Sequence, residues 1–162
     1  MRVLGIDPGT AVTGYGIVDT RNGRPGRGGD FGTLVECGVI TFARNSALPL
    51  RLAELHAGIA ELIARHHPDA LALENAFYHK NVRTTLVLGH ARGVVLLAAQ
   101  QARLVIAEYS PATIKKTVVG AGGAAKSQVA AMVARLLQLR AAPKPLDAAD
   151  GVAVALTHIL RA

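Results

Sequence analysis

The fold is decided by a stretch that reads Val3-Leu4-Gly5-Ile6, then Asp7-Pro8-Gly9-Thr10, then Thr13-Gly14-Tyr15-Gly16-Ile17-Val18. Two apolar runs around a Pro-Gly turn signal predict a strand, a turn and a second strand. Asp7 lies where the first strand gives way to the turn. Because an acid before Pro-Gly commonly hydrogen-bonds its own turn, the structural interpretation of Asp7 is favoured unless distant acids are placed in the same way.

The composition is that of a folded, basic protein. Of 162 residues, 51% are hydrophobic and 18% charged, so we expect one globular domain over residues 1–162 rather than a disordered chain. The net charge of +7 indicates a polyanionic partner. The one cysteine, Cys37, excludes an internal disulfide framework. No targeting segment is visible, and the apolar run Val94 to Ala99 is far shorter than a membrane span, so we expect a cytoplasmic protein.

The periodicity predicts three strands, then alternating helices and strands, then helices alone. After the opening pair, we expect a strand over 33–42, a helix over 48–67, a strand over 70–74, a helix over 84–101, a strand over 104–108, a helix opened by Ser110 and Pro111, and helices over 125–140 and 147–160. Residues 20–32, rich in Gly and Arg, are predicted to be a solvated loop. This order implies a mixed sheet of about five strands with helices packed on it.

Two of the predicted strands end on an acid. Ile6-Asp7 and Leu73-Glu74 each place a carboxylate at the C-terminal end of an apolar strand. The residue two positions earlier, Gly5 or Ala72, shares the face of the acid and is small. If the strands are neighbours, the carboxylates emerge together at the edge where open α/β sheets bind their ligands.

A second pair of acids opens the last predicted helix. Asp147 and Asp150 are spaced i, i+3 and therefore share one helix surface. Asp is also a favoured N-cap, and acids in a first turn offset the helix dipole. A solvated helix end would show the same pattern, so the pair alone favours a structural role.

Taken together, the four acids predict a metal site. Carboxylates gathered at one point repel each other unless a cation neutralises them, and hard oxygen ligands suit Mg²⁺ or Mn²⁺ rather than zinc. On a basic chain, this combination indicates phosphodiester chemistry. Two ions per active site can activate a water on one side of the phosphorus and stabilise the leaving oxygen on the other.

Residues 120–127 nearly match a nucleotide-binding P-loop. The glycine required before the Lys-Ser pair is replaced by Ala125, and no strand ending in an acid is predicted after it. An ATPase site is therefore not favoured. Backbone amides at this predicted helix start, together with Lys126, could instead hold a nucleic-acid phosphate.

The sequence resembles the RuvC family of Holliday-junction resolvases over nearly its whole length. The matching stretches, in family order, are Gly5-Ile6-Asp7-Pro8-Gly9-Thr10 with Val12-Thr13-Gly14-Tyr15-Gly16, Glu74-Asn75-Ala76-Phe77 with Lys80-Asn81, Leu88-Gly89-His90-Ala91-Arg92-Gly93-Val94, Lys115-Lys116-Thr117-Val118-Val119-Gly120 with Lys126-Ser127-Gln128-Val129, and Asp147-Ala148-Ala149-Asp150 with Thr157-His158. Each motif alone is modest, but the set is specific.

The resemblance implies a fold and an activity. The fold would be ribonuclease-H-like, and the protein would act as a homodimer with the RuvA and RuvB branch-migration proteins as partners. The activity would be Mg²⁺- or Mn²⁺-dependent nicking of two opposed strands of a four-way DNA junction, in recombination and DNA repair. The choice of a junction as substrate rests on the resemblance alone.

The resemblance also implies residue roles. The metal ligands and catalytic residues would be Asp7, Glu74, Asp147 and Asp150, and the DNA-binding residues would be Phe77, Lys80, Lys115, Lys116 and Lys126. Phe77 matches an aromatic that stacks on or wedges between bases; read from the sequence alone, it could equally anchor its loop in the core. Asn75 stands where Gln or Glu is common in the family, which leaves the fine placement of Glu74 open.

Two other classes of protein remain as alternatives. An actin-like ATPase or sugar kinase also carries Asp-x-Gly-Thr in its phosphate hairpin, but it needs two such domains and 162 residues supply one. A junction-binding module without catalysis would use the charge of the chain and would not need all four acids.

Overall fold

A computed structural model describes residues 1–20, 31–43, 45–76 and 80–162. Most of the Gly- and Arg-rich loop predicted over 20–32 lies outside the described residues, as does Phe77. The elements are β1 Arg2–Asp7, β2 Val12–Asp19, β3 Thr33–Thr41, α1 Leu48–His66, β4 Ala70–Glu74, α2 Val82–Gln101, β5 Val105–Tyr109, α3 Pro111–Val119, α4 Lys126–Leu136 and α5 Leu146–Arg161.

The strands form one mixed sheet in the order β3-β2-β1-β4-β5. β1 pairs antiparallel with β2, and β2 with β3, so the opening hairpin and the meander are confirmed. β1 pairs in parallel with β4, which pairs in parallel with β5. The register places Gly5 beside Ala72 and Ile6 beside Leu73, so the strand ends that carry Asp7 and Glu74 are neighbours.

Helices cover both faces of the sheet, and alternation along each strand divides the core in two. The face that carries Val3 and Ala72 packs on α5, with α3 and α4 behind it. The opposite face, with Leu4, Ile6, Leu71 and Leu73, packs on α1 and α2 through Leu55, Ile59 and Val95. The short apolar strand β4 is therefore buried on both sides, as its unbroken apolar sequence predicts.

α5 is the helix that positions the second pair of acids. Only the start of this helix is open to solvent: Leu146 and Asp147 are partly exposed, whereas every residue from Ala148 to Ile159 except Asp150 is buried. Pro145 occupies the N-cap, so Asp147 lies in the first turn and does not cap the helix. The helix lies very close to β2: a Cβ added to Gly16 would fall 2.5 Å from Cα of Val152, which only a glycine avoids.

Several predicted boundaries shift, and the structure gives a local reason for three of these shifts. α2 begins at Val82 rather than Thr84, because the Asn81 side chain caps it by accepting from the Thr84 amide at 3.1 Å. β5 runs one residue later than predicted, to Tyr109, whose carbonyl accepts from the amide of Asn75. α4 ends at Leu136 rather than residue 140, because the chain turns at Gln138, which has a φ of 52°.

α2 is long and apolar enough to cross a membrane by length and composition. Its buried residues, Ala91, Val95, Ala98 and Ala99, belong to the core formed with α1 and the sheet. The packing therefore accounts for the apolar residues on one side of the helix. Part of its other side carries exposed apolar residues, Val82, Leu86 and Leu97.

Candidate active site

Three carboxylates from two elements converge at one end of the sheet. Asp7 is the last residue of β1, and Asp147 and Asp150 lie in the first two turns of α5. One carboxylate oxygen from each lies within 4.8 Å of the others. The approach depends on Gly14, which pairs with Asp7 across the hairpin: a Cβ there would lie 2.6 Å from the backbone carbon of Asp147. The β1–β2 hairpin thus makes room for the start of α5.

Glu74 lies beside these three acids, at the end of the neighbouring strand. It lines the same two clefts as Asp7. Burial raises the pKa of Glu74 first, and the charge of Asp150 raises it further, while Lys126 and Lys115 act in the opposite direction. The structure therefore brings all four predicted acids together, as expected for neighbouring parallel strand ends.

Asp7 is the most perturbed acid of the group. Burial raises its pKa to about 8, with further contributions from the charges of Glu74, Asp150 and Asp147, which Lys126 partly offsets. Within the described part of the chain, its carboxylate has no hydrogen-bond partner, so it does not bond the Pro8-Gly9 turn. A carboxylate held in this way needs a proton or a cation at neutral pH.

Lys126 supplies a positive charge to the cluster. Its ammonium lies 2.5 Å from Oδ2 of Asp150 and 3.8 Å from Oδ1 of Asp147. The hydrogen bond to Asp150 raises the pKa of Lys126. The near match to a P-loop is not one in the structure: the Ala125 amide is taken by the Gln128 side chain, and the residues from 126 onward form helices rather than a strand.

The predicted DNA-binding residues separate into two groups. Lys115 lines one cleft together with Asp7, Glu74 and Lys126. Lys116, one position on in α3, lies on another surface with Arg161. Lys80 is exposed, and Phe77 lies outside the described residues.

Two clefts flank the acids and share Asp7 and Glu74. The first, of about 150 Å³, opens toward α2 and is lined by Asp7, Pro8, Glu74, Asn75, Ala76, Thr85, Leu88, Gly89 and Arg92. The second, of about 130 Å³, opens toward α3 and α4 and is lined by Asp7, Glu74, Pro111, Ile114, Lys115, Lys126, Val129, Asp150 and Ala153. The carboxylates of Asp7 and Glu74 thus lie between the two clefts, and the second cleft also contains two lysines, Lys115 and Lys126.

Sequence reasoning gave no role to two polar residues of the first cleft. Arg92 makes a bidentate ion pair with Glu108 at 2.8 Å, which ties α2 to β5. Asn75 follows Glu74 directly, lines the cleft, and donates its backbone amide to the carbonyl of Tyr109 at 2.8 Å. Both residues lie in stretches that resemble motifs of the RuvC family, and this resemblance is the sequence feature that could have drawn attention to them.

Comparison with known proteins agrees with this geometry. A family model for "Crossover junction endodeoxyribonuclease RuvC" matches residues 3–158. A relative of that name from Halorhodospira halophila is 52% identical over 157 residues, which are 97% of this chain and 89% of the relative. The solved Thermus thermophilus RuvC structure is 35% identical, covers 99% of this chain and 94% of its own, and has a TM-score of 0.87.

A second solved structure, T. thermophilus RuvC in complex with Holliday junction substrate, is 33% identical with the same coverage and a TM-score of 0.88. These matches extend over the whole sheet and its helices, and the described fold is the ribonuclease-H-like one expected from the resemblance. The chain belongs to the RuvC family of crossover junction endodeoxyribonucleases.

Proposed function

We propose that the chain is a divalent-metal-dependent endonuclease that resolves four-way DNA junctions by nicking two opposed strands, in recombination and DNA repair. The observation that carries this proposal is the convergence of Asp7, Asp147 and Asp150 within 4.8 Å, with Glu74 beside them, on a chain of net charge +7. Family membership and the solved junction complex of a relative support the choice of substrate.

The chemistry of the donor set fits Mg²⁺ or Mn²⁺. Its ligands are carboxylate oxygens, which hard divalent cations prefer, and burial together with the neighbouring acids raises the pKa of Asp7 to about 8. We propose that Asp7, Glu74, Asp147 and Asp150 hold two such ions. When bound, they supply Lewis-acid activation of water and offset the charge that develops on the phosphate.

The side chains of the second cleft bind and orient the DNA strand. Lys115 and Lys126 lie on the same side of the carboxylates, so a phosphodiester that enters this cleft meets two ammonium groups beside the acids. Lys126 neutralises Asp150 in the absence of other cations and becomes available to a phosphate once the acids are otherwise neutralised. Lys80 and Lys116 would bind phosphates farther from the acids, and Phe77 would stack on bases at the crossover.

A homodimer would place two such sites on one junction. A four-way junction with two opposed scissile strands has two-fold symmetry, which a C2 dimer matches. The exposed stripe of α2, made of Val82, Leu86 and Leu97, which are 73%, 60% and 52% exposed, supports α2 as the interface. Such apolar patches commonly mark protein contacts.

The remaining expectations are also part of the proposal. RuvA and RuvB are the partners expected from the resemblance, and a cytoplasmic location suits an enzyme that acts on chromosomal DNA. One sheet covered by helices on both faces supports a single nuclease domain over residues 1–162.

The direct test is a cleavage assay on a synthetic mobile four-way junction, with a linear duplex of the same sequence as control. We expect paired nicks in opposed strands of the junction in Mg²⁺ or Mn²⁺, little cleavage of the duplex, and none with EDTA. If the linear duplex were cleaved as fast as the junction, the protein would be a nuclease without selectivity for junctions. Junction binding with no cleavage in either metal would instead favour the non-catalytic alternative.

A further inference from the structure

Glu74 depends on the neighbouring strand β5 for its position. In the ladder between β1 and β4, the last pair is Ile6 with Leu73, so Glu74 has no partner in β1. The ladder between β4 and β5 extends one residue farther and pairs Glu74 with Tyr109. The backbone amide of Asn75 donates to the carbonyl of Tyr109 at 2.8 Å and continues this pairing. The end of β5 therefore sets where the Glu74 carboxylate emerges from the sheet.

Side chains from both layers of helices tie the end of β5 in place. On one face, Glu108 makes a bidentate ion pair with Arg92 of α2. On the other face, the Tyr109 hydroxyl lies 2.9 Å from Nδ1 of His158 in α5, a residue that is only 8% exposed. β5 is an edge strand with a ladder on one side only, so these contacts restrain an end that would otherwise fray.

The ring of Tyr109 lies on the same face of the sheet as Glu74. Tyr109 and Ala72 both pack in the core on the α5 side, and Glu74 follows Ala72 by two residues, so alternation places its side chain on that face. The two residues are paired in the ladder, and neighbouring strands are about 4.8 Å apart. Tyr109 therefore borders Glu74 on the side that faces away from β1.

We propose that Tyr109 is a positioning residue for Glu74, and that its hydroxyl acts through the hydrogen bond with His158. The inference rests on the proposed function, in which Glu74 helps to hold the metal ions, and it adds a residue that acts through Glu74 rather than on the DNA. Groups that orient a metal ligand commonly account for about 10- to 100-fold of metal affinity. Tyr109 should lie at the lower end of this range, because it supports Glu74 through the pairing of the strands.

The test measures Mn²⁺ binding to the metal-free protein by calorimetric titration. Tyr109→Phe keeps the ring and removes the bond to His158. Tyr15→Phe is the matched control, because the Tyr15 hydroxyl donates to Glu36 at 2.8 Å on the opposite face of the sheet. Both variants should unfold at a lower urea concentration than the wild type, but only Tyr109→Phe should bind Mn²⁺ more weakly, by about tenfold. Junction cleavage by Tyr109→Phe should recover at saturating Mn²⁺, because added metal compensates for a loosely held ligand.

A double-mutant cycle tests the part played by His158. If the hydroxyl acts through His158, then His158→Leu should weaken Mn²⁺ binding by a similar factor, and the double variant should bind no more weakly than either single variant. A double variant whose loss equals the product of the two single losses would contradict the link to His158. If the buried substitution His158→Leu prevents folding, the comparison of Tyr109→Phe with Tyr15→Phe still decides the proposal.

The possible failures are distinguishable. If the wild-type protein binds no Mn²⁺ and cleaves no junction, the proposed function fails and the positioning role fails with it. If the wild type binds Mn²⁺ and cleaves junctions, but Tyr109→Phe binds Mn²⁺ as tightly as Tyr15→Phe, only the positioning role of Tyr109 is contradicted.

Discussion

The ammonium of Lys126 lies 2.5 Å from Oδ2 of Asp150, so the first residue of α4 neutralises an acid of α5 at the edge of the acidic cluster. Asp150 is 12% exposed in its side chain and Lys126 is 57% exposed, so the pair is open to solvent on the lysine side. In the metal-free protein, the ammonium occupies the position where a divalent cation would be attracted. If the acids hold a metal as proposed, lysine and metal would therefore compete for the same carboxylates.

Replacing Lys126 with methionine removes this competitor. We expect Lys126→Met to bind Mn²⁺ roughly two- to sixfold more tightly, the equivalent of about 0.5–1 kcal/mol for a partly exposed pair. Junction cleavage should nevertheless fall, because the phosphate loses a contact. Calorimetric titration with Mn²⁺ measures the first effect. Lys116→Met is the matched control, since Lys116 lies on another surface, and weaker metal binding by Lys126→Met than by that control would argue against competition.

Asp7 makes the stability of the metal-free protein depend on pH. Its pKa of about 8 in the folded protein exceeds the 3.8 of an ordinary Asp, so between these values the folded state holds more protons than the unfolded chain. The free energy of unfolding contributed by Asp7 therefore falls as pH rises from about 4 to about 8. Asp7→Asn should flatten this fall and stabilise the metal-free protein at pH 7 by roughly 1–3 kcal/mol.

Urea unfolding in EDTA from pH 5 to pH 8.5 measures this dependence. The wild-type protein should lose stability over the range, and Mg²⁺ should restore it at the alkaline end, where its binding displaces fewer protons. If the free energy of unfolding of the wild type and of Asp7→Asn depended on pH in the same way, the surroundings of Asp7 would not raise its pKa.

Gly16 sets the distance between α5 and the sheet. A Cβ there would lie 2.5 Å from Cα of Val152, so Gly16→Ala should push α5 outward and cost about 1–3 kcal/mol, as overpacked cores do. Because α5 carries Asp147 and Asp150, cleavage should fall even where the protein remains folded. Gly123→Ala is the control, since nothing lies within 4 Å of its added Cβ. Thermal unfolding of the two variants measures the loss of stability, and junction cleavage by the folded variants measures the displacement of the acids. Normal stability of Gly16→Ala would contradict the close contact between β2 and α5.

The exposed apolar stripe of α2 gives a test of the dimer. Leu86→Glu places a charge at a residue that is 60% exposed, where a monomer tolerates it and an apolar interface does not. We expect sedimentation equilibrium to show a dimer for the wild type and a monomer for Leu86→Glu. Val35→Glu, on the edge strand β3 at the far side of the sheet, is the control and should remain dimeric. A dimeric Leu86→Glu would place the interface elsewhere.

The strands and the convergence of the acids could be predicted because their signals are local. Apolar runs that end on Asp7 and Glu74, with Gly5 and Ala72 two residues earlier, define two buried strands and the direction of their ends. The structure confirms that these ends are neighbours. Asp7, Asp147 and Asp150 form the group within 4.8 Å, and Glu74 lies next to it. This difference depends on tertiary packing, which the spacing of the acids along the chain does not encode.

The role of the last helix was harder to predict from its sequence. Acids at the start of an apolar helix look the same whether the helix end is solvated or lies against a sheet. Burial of α5 depends on Gly14, Gly16 and Gly151, which lie on two elements and make room for the backbone of the other. The pairing of Lys126 with Asp150, 24 positions apart, is likewise a tertiary contact.

The decisive experiment measures metal-dependent cleavage of a synthetic four-way junction by the wild-type protein and by Asp7→Asn, with junction binding measured in parallel. We predict that the wild-type protein nicks two opposed strands in Mg²⁺ or Mn²⁺, and that Asp7→Asn loses cleavage by at least about a thousandfold while it still binds the junction. Undiminished cleavage by Asp7→Asn would show that the carboxylate of Asp7 is not needed for the reaction.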